Sequence, residues 1–101
     1  MRVLLVCAAG MSTSLLVNNM KKVAEEGTVI EAHPVTSLEG IVKDYDVVLV
    51  GPQIRYKFDM VNKTCKANNV AAGLLDMTAY GRMDGAAAMK QAKELAGRQE
   101  K

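Results

Sequence analysis

Apolar positions along the chain follow two alternating patterns: short unbroken blocks, and longer stretches where they return every third or fourth residue. Arg2 to Val6 carries a block of the first kind, as expected for a strand buried on both faces. After it, Leu16, Met20, Val23 and Ala24 mark one face of a helix, while Lys21, Lys22, Glu25 and Glu26 lie largely elsewhere. Gly27 suits a helix stop. Thr28 to Ala32 predicts a shorter second strand. Thr36-Ser37-Leu38-Glu39 has capping-box spacing and predicts a short helix with Leu38, Ile41 and Val42 inward.

Val47-Val48-Leu49-Val50 predicts a third, buried strand, broken by Gly51-Pro52-Gln53. Ile54, Phe58, Val61 and Cys65 then recur at intervals of four, three and four, a helical stripe. Val70 to Leu75 predicts the fourth strand. Asp84 is placed to cap a last helix whose inner face carries Ala88, Ala92 and Leu95. The tail from Gly97 is expected to fray, leaving residues 98–101 outside the packed fold.

Strands and helices alternate throughout, which predicts the α/β class: a four-stranded parallel sheet, order 2-1-3-4, with helices on both faces. The chain is 101 residues long and reads as one domain, 1–101. In such sheets ligands bind beyond the carboxyl ends of the strands, where the strand order reverses. That crevice lies between the loop after strand 1, containing Cys7, and the loop after strand 3, containing Gly51-Pro52-Gln53.

Composition narrows the function. Half the residues are hydrophobic and the net charge is +2, which argues against disorder. The basic residues are scattered, so no nucleic-acid partner is expected. No apolar run approaches the roughly 20 residues of a membrane span. The apolar start is too short for a secretory leader, and a cytoplasmic protein is expected. The two cysteines, Cys7 and Cys65, form no C-x-x-C, and His33 is the lone histidine. No metal site or structural disulfide is expected.

The candidate chemistry sits in Cys7-Ala8-Ala9-Gly10-Met11-Ser12-Thr13-Ser14. Cys7 closes a buried strand. Ala8, Ala9 and Gly10 are small enough to let backbone N–H groups converge, and Gly10 tolerates conformations that other residues resist. Ser12, Thr13 and Ser14 add hydroxyl donors, and one of them can also cap the following helix. A helix N-terminus presents unpaired N–H groups and the positive end of its dipole. Together these describe a cradle for a tetrahedral anion, and such a field favours the nucleophilic thiolate form of cysteine. Position alone leaves Cys7 open between a small core residue and a nucleophile; the loop chemistry favours the nucleophile. The loop is no nucleotide P-loop, since it lacks Gly-Lys-[Ser/Thr]. Nor is it the C-x5-R of cysteine phosphatases, whose arginine position is held here by Thr13.

The run Cys7 to Val17 resembles the phosphorylation loop of enzyme IIB components of the bacterial sugar phosphotransferase system, in the lactose/cellobiose/diacetylchitobiose branch. Val47 to Ile54 and Tyr80-Gly81-Arg82-Met83-Asp84-Gly85 resemble two further stretches of the cellobiose type. The resemblance implies a fold similar to low-molecular-weight tyrosine phosphatase. It implies that Cys7 accepts phosphate from a phosphohistidine of a IIA partner. The phosphate then passes to a sugar, expected to be a β-linked disaccharide such as cellobiose or chitobiose, brought through the membrane by a IIC permease. No cofactor is expected.

Other candidates are weaker. Gln53 is placed to donate toward the crevice or merely to end the strand. Asp76 follows strand 4, where the related phosphatases carry a general acid, but a turn or cap role is favoured. Tyr80 and Met11 are candidates for a docking face. Cys65 reads as core packing, and His33 as a solvated or packed residue. Two rival functions remain at this point: a cysteine-dependent phosphatase or arsenate reductase, and a flavodoxin-like non-enzymatic binding module. Thr13 argues against the first. The lack of acidic residues after strand 1 argues against a receiver-like form of the second.

Overall fold

The sheet is built around two strands with no polar residue in their buried portions. β1 (Arg2–Cys7) and β3 (Val47–Val50) lie side by side, with β2 (Val29–Pro34) and β4 (Ala71–Leu74) outside them, all parallel, in the order β2-β1-β3-β4. The computed structural model describes residues 1–7 and 14–99. Its helices are α1 (Ser14–Val23), α2 (Leu38–Ile41), α3 (Phe58–Ala67), α4 (Met77–Gly81) and α5 (Gly85–Gln99).

Alternation along β1 divides the core in two. Val3 and Leu5 face a cluster with Leu16, Met20, Ala88 and Ala92 of α1 and α5. Leu4 and Val6 face a second cluster with Leu38, Ile54, Val61 and Cys65 on the other side. Both faces of the central strands are therefore covered, as parallel sheets require.

Several elements depart from the sequence expectation. β2 continues through His33 to Pro34, because it pairs with β1 as far as Cys7↔Pro34. Pro34 is tolerated there because it ends an edge strand. The capping box does not form. The chain is already in a 3₁₀ turn over Val35–Ser37, and no side chain caps α2. Leu38 and Val42 still point inward, and Ile41 packs at the rim of the cluster.

The stripe from Ile54 to Cys65 is not one helix. A 3₁₀ segment, Pro52–Lys57, is kinked at Ile54 (φ −118°) before α3 begins. Gly27 has φ +89° but lies in the turn beyond the end of α1, where it redirects the chain into β2. Asp84 caps α5 as expected, accepting from the Ala87 N–H at 3.0 Å. That helix continues to Gln99, past the Gly97 where the sequence suggests its end. The short helix α4 has no counterpart in the sequence reading.

Candidate functional site

β1 delivers Cys7 to the carboxyl end of the sheet. The side chain is buried, 7 % exposed. Its Sγ donates to the backbone carbonyl of His33 at 3.8 Å, across the β1–β2 pairing. Cys65, by contrast, lies within an apolar cluster.

On the other side, the turn after β3 is tied to the same strand end. The Gly51 N–H donates to the Val6 carbonyl at 3.0 Å, and the Ile54 N–H returns to the Gly51 carbonyl at 3.1 Å. A Cβ on Gly51 would lie 3.2 Å from Gln53 Oε1 and 3.4 Å from the Val6 carbonyl oxygen. Gln53, itself exposed, folds its amide back over that glycine. The expected crevice also involves the loop after β1, which lies outside the described residues.

Of the expected cradle, Ala8, Ala9, Gly10, Met11, Ser12 and Thr13 lie outside the described residues. Ser14 is described: it is exposed and opens α1. The helix behind it is firmly seated, with Leu16 and Met20 wholly buried against the sheet.

Asp76 serves as a cap. Its Oδ2 accepts from the Ala79 N–H at 3.0 Å, holding the first turn of α4. Gln91, which the sequence reading missed, clips the same corner: its Nε2 donates to the Leu74 carbonyl at 2.6 Å and its Oε1 accepts from the Asp76 N–H at 3.1 Å. Tyr80 is half-buried against the α1–α5 side of the core. Cys65 is fully buried, and burial pushes its thiol up to about 11. It is a core residue and no nucleophile at neutral pH. Among the described residues, no three His, Cys, Asp or Glu side chains converge as a metal site would require. No described helix is long and apolar enough to cross a membrane.

The family model for the lactose/cellobiose-specific IIB subunit of the PTS system matches residues 2–91. The chain belongs to that family. It is 37 % identical over 97 residues to the oligo-beta-mannoside-specific EIIB component of Bacillus subtilis, covering 93 % of this chain and 94 % of the relative. It is 33 % identical over 99 residues to the cellobiose-specific EIIB component of Lactococcus lactis, covering 90 % and 92 %.

Among solved structures, the cellobiose-specific IIB protein of Borrelia burgdorferi superposes with a TM-score of 0.81 at 33 % identity, over 98 % of this chain and 94 % of that one. The lactose-specific IIB domain of Streptococcus pneumoniae reaches the same TM-score, 0.81, at 16 % identity, over 94 % and 96 %, and so shares the fold. As an EIIB component the chain is a phosphotransferase, passing phosphate to sugar.

Proposed function

We propose that Cys7 is the phosphoryl carrier of this IIB component. The observation that carries the reading is its position: Cys7 closes β1 at the carboxyl end of the sheet, with its Sγ donating to the His33 carbonyl at 3.8 Å, directly ahead in sequence of a hydroxyl-rich stretch and the start of α1. The loop amides of Ala8 to Thr13, with the hydroxyls of Ser12, Thr13 and Ser14, hold the phosphoryl oxygens at that helix end.

The chemistry is two in-line displacements. Cys7 Sγ attacks the phosphorus of a phosphohistidine on a IIA partner. The S–P bond forms as the N–P bond breaks, and the thiol proton ends on the released imidazole. A sugar hydroxyl then attacks the same phosphorus. The O–P bond forms as the S–P bond breaks, and the hydroxyl proton returns to sulfur. Phosphoryl transfer asks the protein mainly for positioning and charge stabilisation. Thr13, in place of a permanently charged arginine, slows the competing attack by water and lets the phosphocysteine persist.

The acceptor is a β-linked saccharide, in line with relatives named for oligo-beta-mannoside and cellobiose, and it arrives through a membrane IIC permease. The protein itself works in the cytoplasm.

The test is incubation with phosphoenolpyruvate, the general phosphotransferase proteins and the IIA partner, read by intact and peptide mass spectrometry. Wild type gains one phosphate, on Cys7, and Cys7→Ser gains none. A Cys7→Ser variant labelled at the wild-type rate would sink the assignment.

A further inference from the structure

We propose that Asn19 of α1 is a positioning residue for phosphoryl transfer, holding that helix at a fixed place along its axis relative to Cys7. The proposal rests on the phosphoryl-carrier reading above and names the group that sets its geometry.

The sulfur and the helix belong to different bodies. Cys7 ends β1, a central strand paired on both sides, so the sheet sets its place. α1 lies over the sheet and is seated there by Leu16, Val17 and Met20, all buried. Apolar packing is non-directional. It holds the helix down on the sheet but specifies no partner atom along the helix axis. Directional contacts fix what packing leaves open. Among the described residues α1 makes one hydrogen bond through a side chain: Asn19 Nδ2 donates at 2.8 Å to the carbonyl of Met83, 64 residues further along the chain.

The acceptor is prepared for that bond. The N–H groups of Arg82, Met83 and Asp84 donate back into α4, to the carbonyls of Thr78, Tyr80 and Ala79, so the turn holds its own shape. Met83 takes a left-handed φ of +53°. A residue with a side chain keeps that conformation only where its surroundings impose it, and such residues gather where geometry matters to function. Two positions on, Gly85 seats its backbone against that of Asn19 with no room for a Cβ. α1 is thus pinned about one and a half turns behind Ser14, its first residue.

Placement is what transfer requires. In the carrier reading the S–P bond forms on the sheet-borne sulfur while the phosphoryl oxygens are held at the head of α1. A misplacement of about 1 Å can cost about a hundred-fold in rate. A helix released from its pin shifts the donors against the sulfur. The fold itself survives, because one hydrogen bond is a small share of a domain's stability.

The test uses Asn19→Ala and Asn19→Leu. Both remove the donor, and leucine keeps most of the volume. Asn18→Ala is the control, an exposed amide at the neighbouring position of the same helix. Loading of Cys7 by the IIA partner is timed by rapid quench and mass spectrometry, with amide spectra showing that each variant is folded. Both Asn19 variants should load with kcat lowered about ten-fold and KM for the IIA partner unchanged. Asn18→Ala should keep the wild-type kcat. A wild-type kcat in either folded Asn19 variant overturns the proposal. So does a defect confined to KM, which would place Asn19 in docking, and so does failure of both variants to fold, which would make Asn19 a support of the fold alone. Cys7→Ser, run alongside, tells the two readings apart. If it is labelled like wild type, the carrier reading falls and this proposal with it; if it stays unlabelled while the Asn19 variants load normally, only the role of Asn19 falls.

Discussion

Gly85, the first residue of α5, rests directly on the backbone of Asn19 in α1: a Cβ there would lie 2.3 Å from the Asn19 carbonyl carbon and 2.5 Å from the Met20 nitrogen. The junction is locked from the other side as well. Asn19 Nδ2 donates to the Met83 carbonyl at 2.8 Å, and Met83 takes a left-handed φ of +53° to present it. The helix that carries the Cys7 loop is thereby anchored to the last helix by backbone contact and not by side-chain packing alone.

Backbone cannot step aside as a side-chain tip can, so Gly85→Ala must push α5 off α1. The expected cost is about 3 kcal/mol, the upper end of overpacking penalties. Gly97→Ala is the control: nothing lies within 4 Å of its Cβ position, and alanine is the better helix former. Urea midpoints should fall sharply for the first variant and hold or rise for the second.

Asp76 is assigned to the helix cap, and that assignment separates stability from transfer. Asp76→Ala removes the acceptor for the Ala79 N–H and should cost about 1 kcal/mol. Asp76→Asn keeps a capping oxygen and should lie near wild type. Both should transfer phosphate at the wild-type rate when measured under conditions where they are folded. A transfer defect shared by both variants would make the carboxylate a participant in the reaction.

Cys65 should be chemically silent in the folded protein. It has no solvent exposure and its thiol is pushed up by burial. Alkylation at pH 8 with peptide-level mass spectrometry should leave Cys65 unmodified until denaturant unfolds the chain. Native-state labelling of Cys65 would contradict its place in the core.

Alkaline pH should weaken the fold through two groups. Burial and the hydrogen bond to Glu31 push the Tyr45 hydroxyl up to about 12 from 10.0, and burial pushes Cys65 up to about 11 from 9.0. The folded state therefore holds protons that the unfolded chain releases. Their stabilisation is complete below pH 9 and is lost as pH rises toward 12. Tyr45→Phe should flatten the decline above pH 10, though it also loses the bond to Glu31. On the acid side Glu25 is held below the usual carboxylate range by its hydrogen bond to Lys93. Its contribution is present above 4.5 and lost as pH falls through its lowered value. Both partners are exposed, so the effect is small.

The unbroken apolar runs of β1 and β3 are legible without any structure, because a strand covered on both faces has no polar side to show. The same holds for the helical stripe of α1, the Asp84 cap and the parallel order. Each is a local pattern, or a rule of connection, written in consecutive residues. Cys7 stands out for the same reason: a run of small and hydroxyl residues follows it directly in the sequence.

Other features arise only when distant segments meet. β2 runs on to Pro34 because β1 lies beside it, and Ile54 stays buried across a kink because the second core cluster needs it there. Tyr80 turns inward for a similar reason. The carbonyl that receives the Cys7 S–H and the backbone that Gly85 presses against both join residues far apart in the chain. Periodicity reports which face of an element is buried. It carries no record of what that face will touch, since that is settled by register and packing among elements that the chain order does not place in contact.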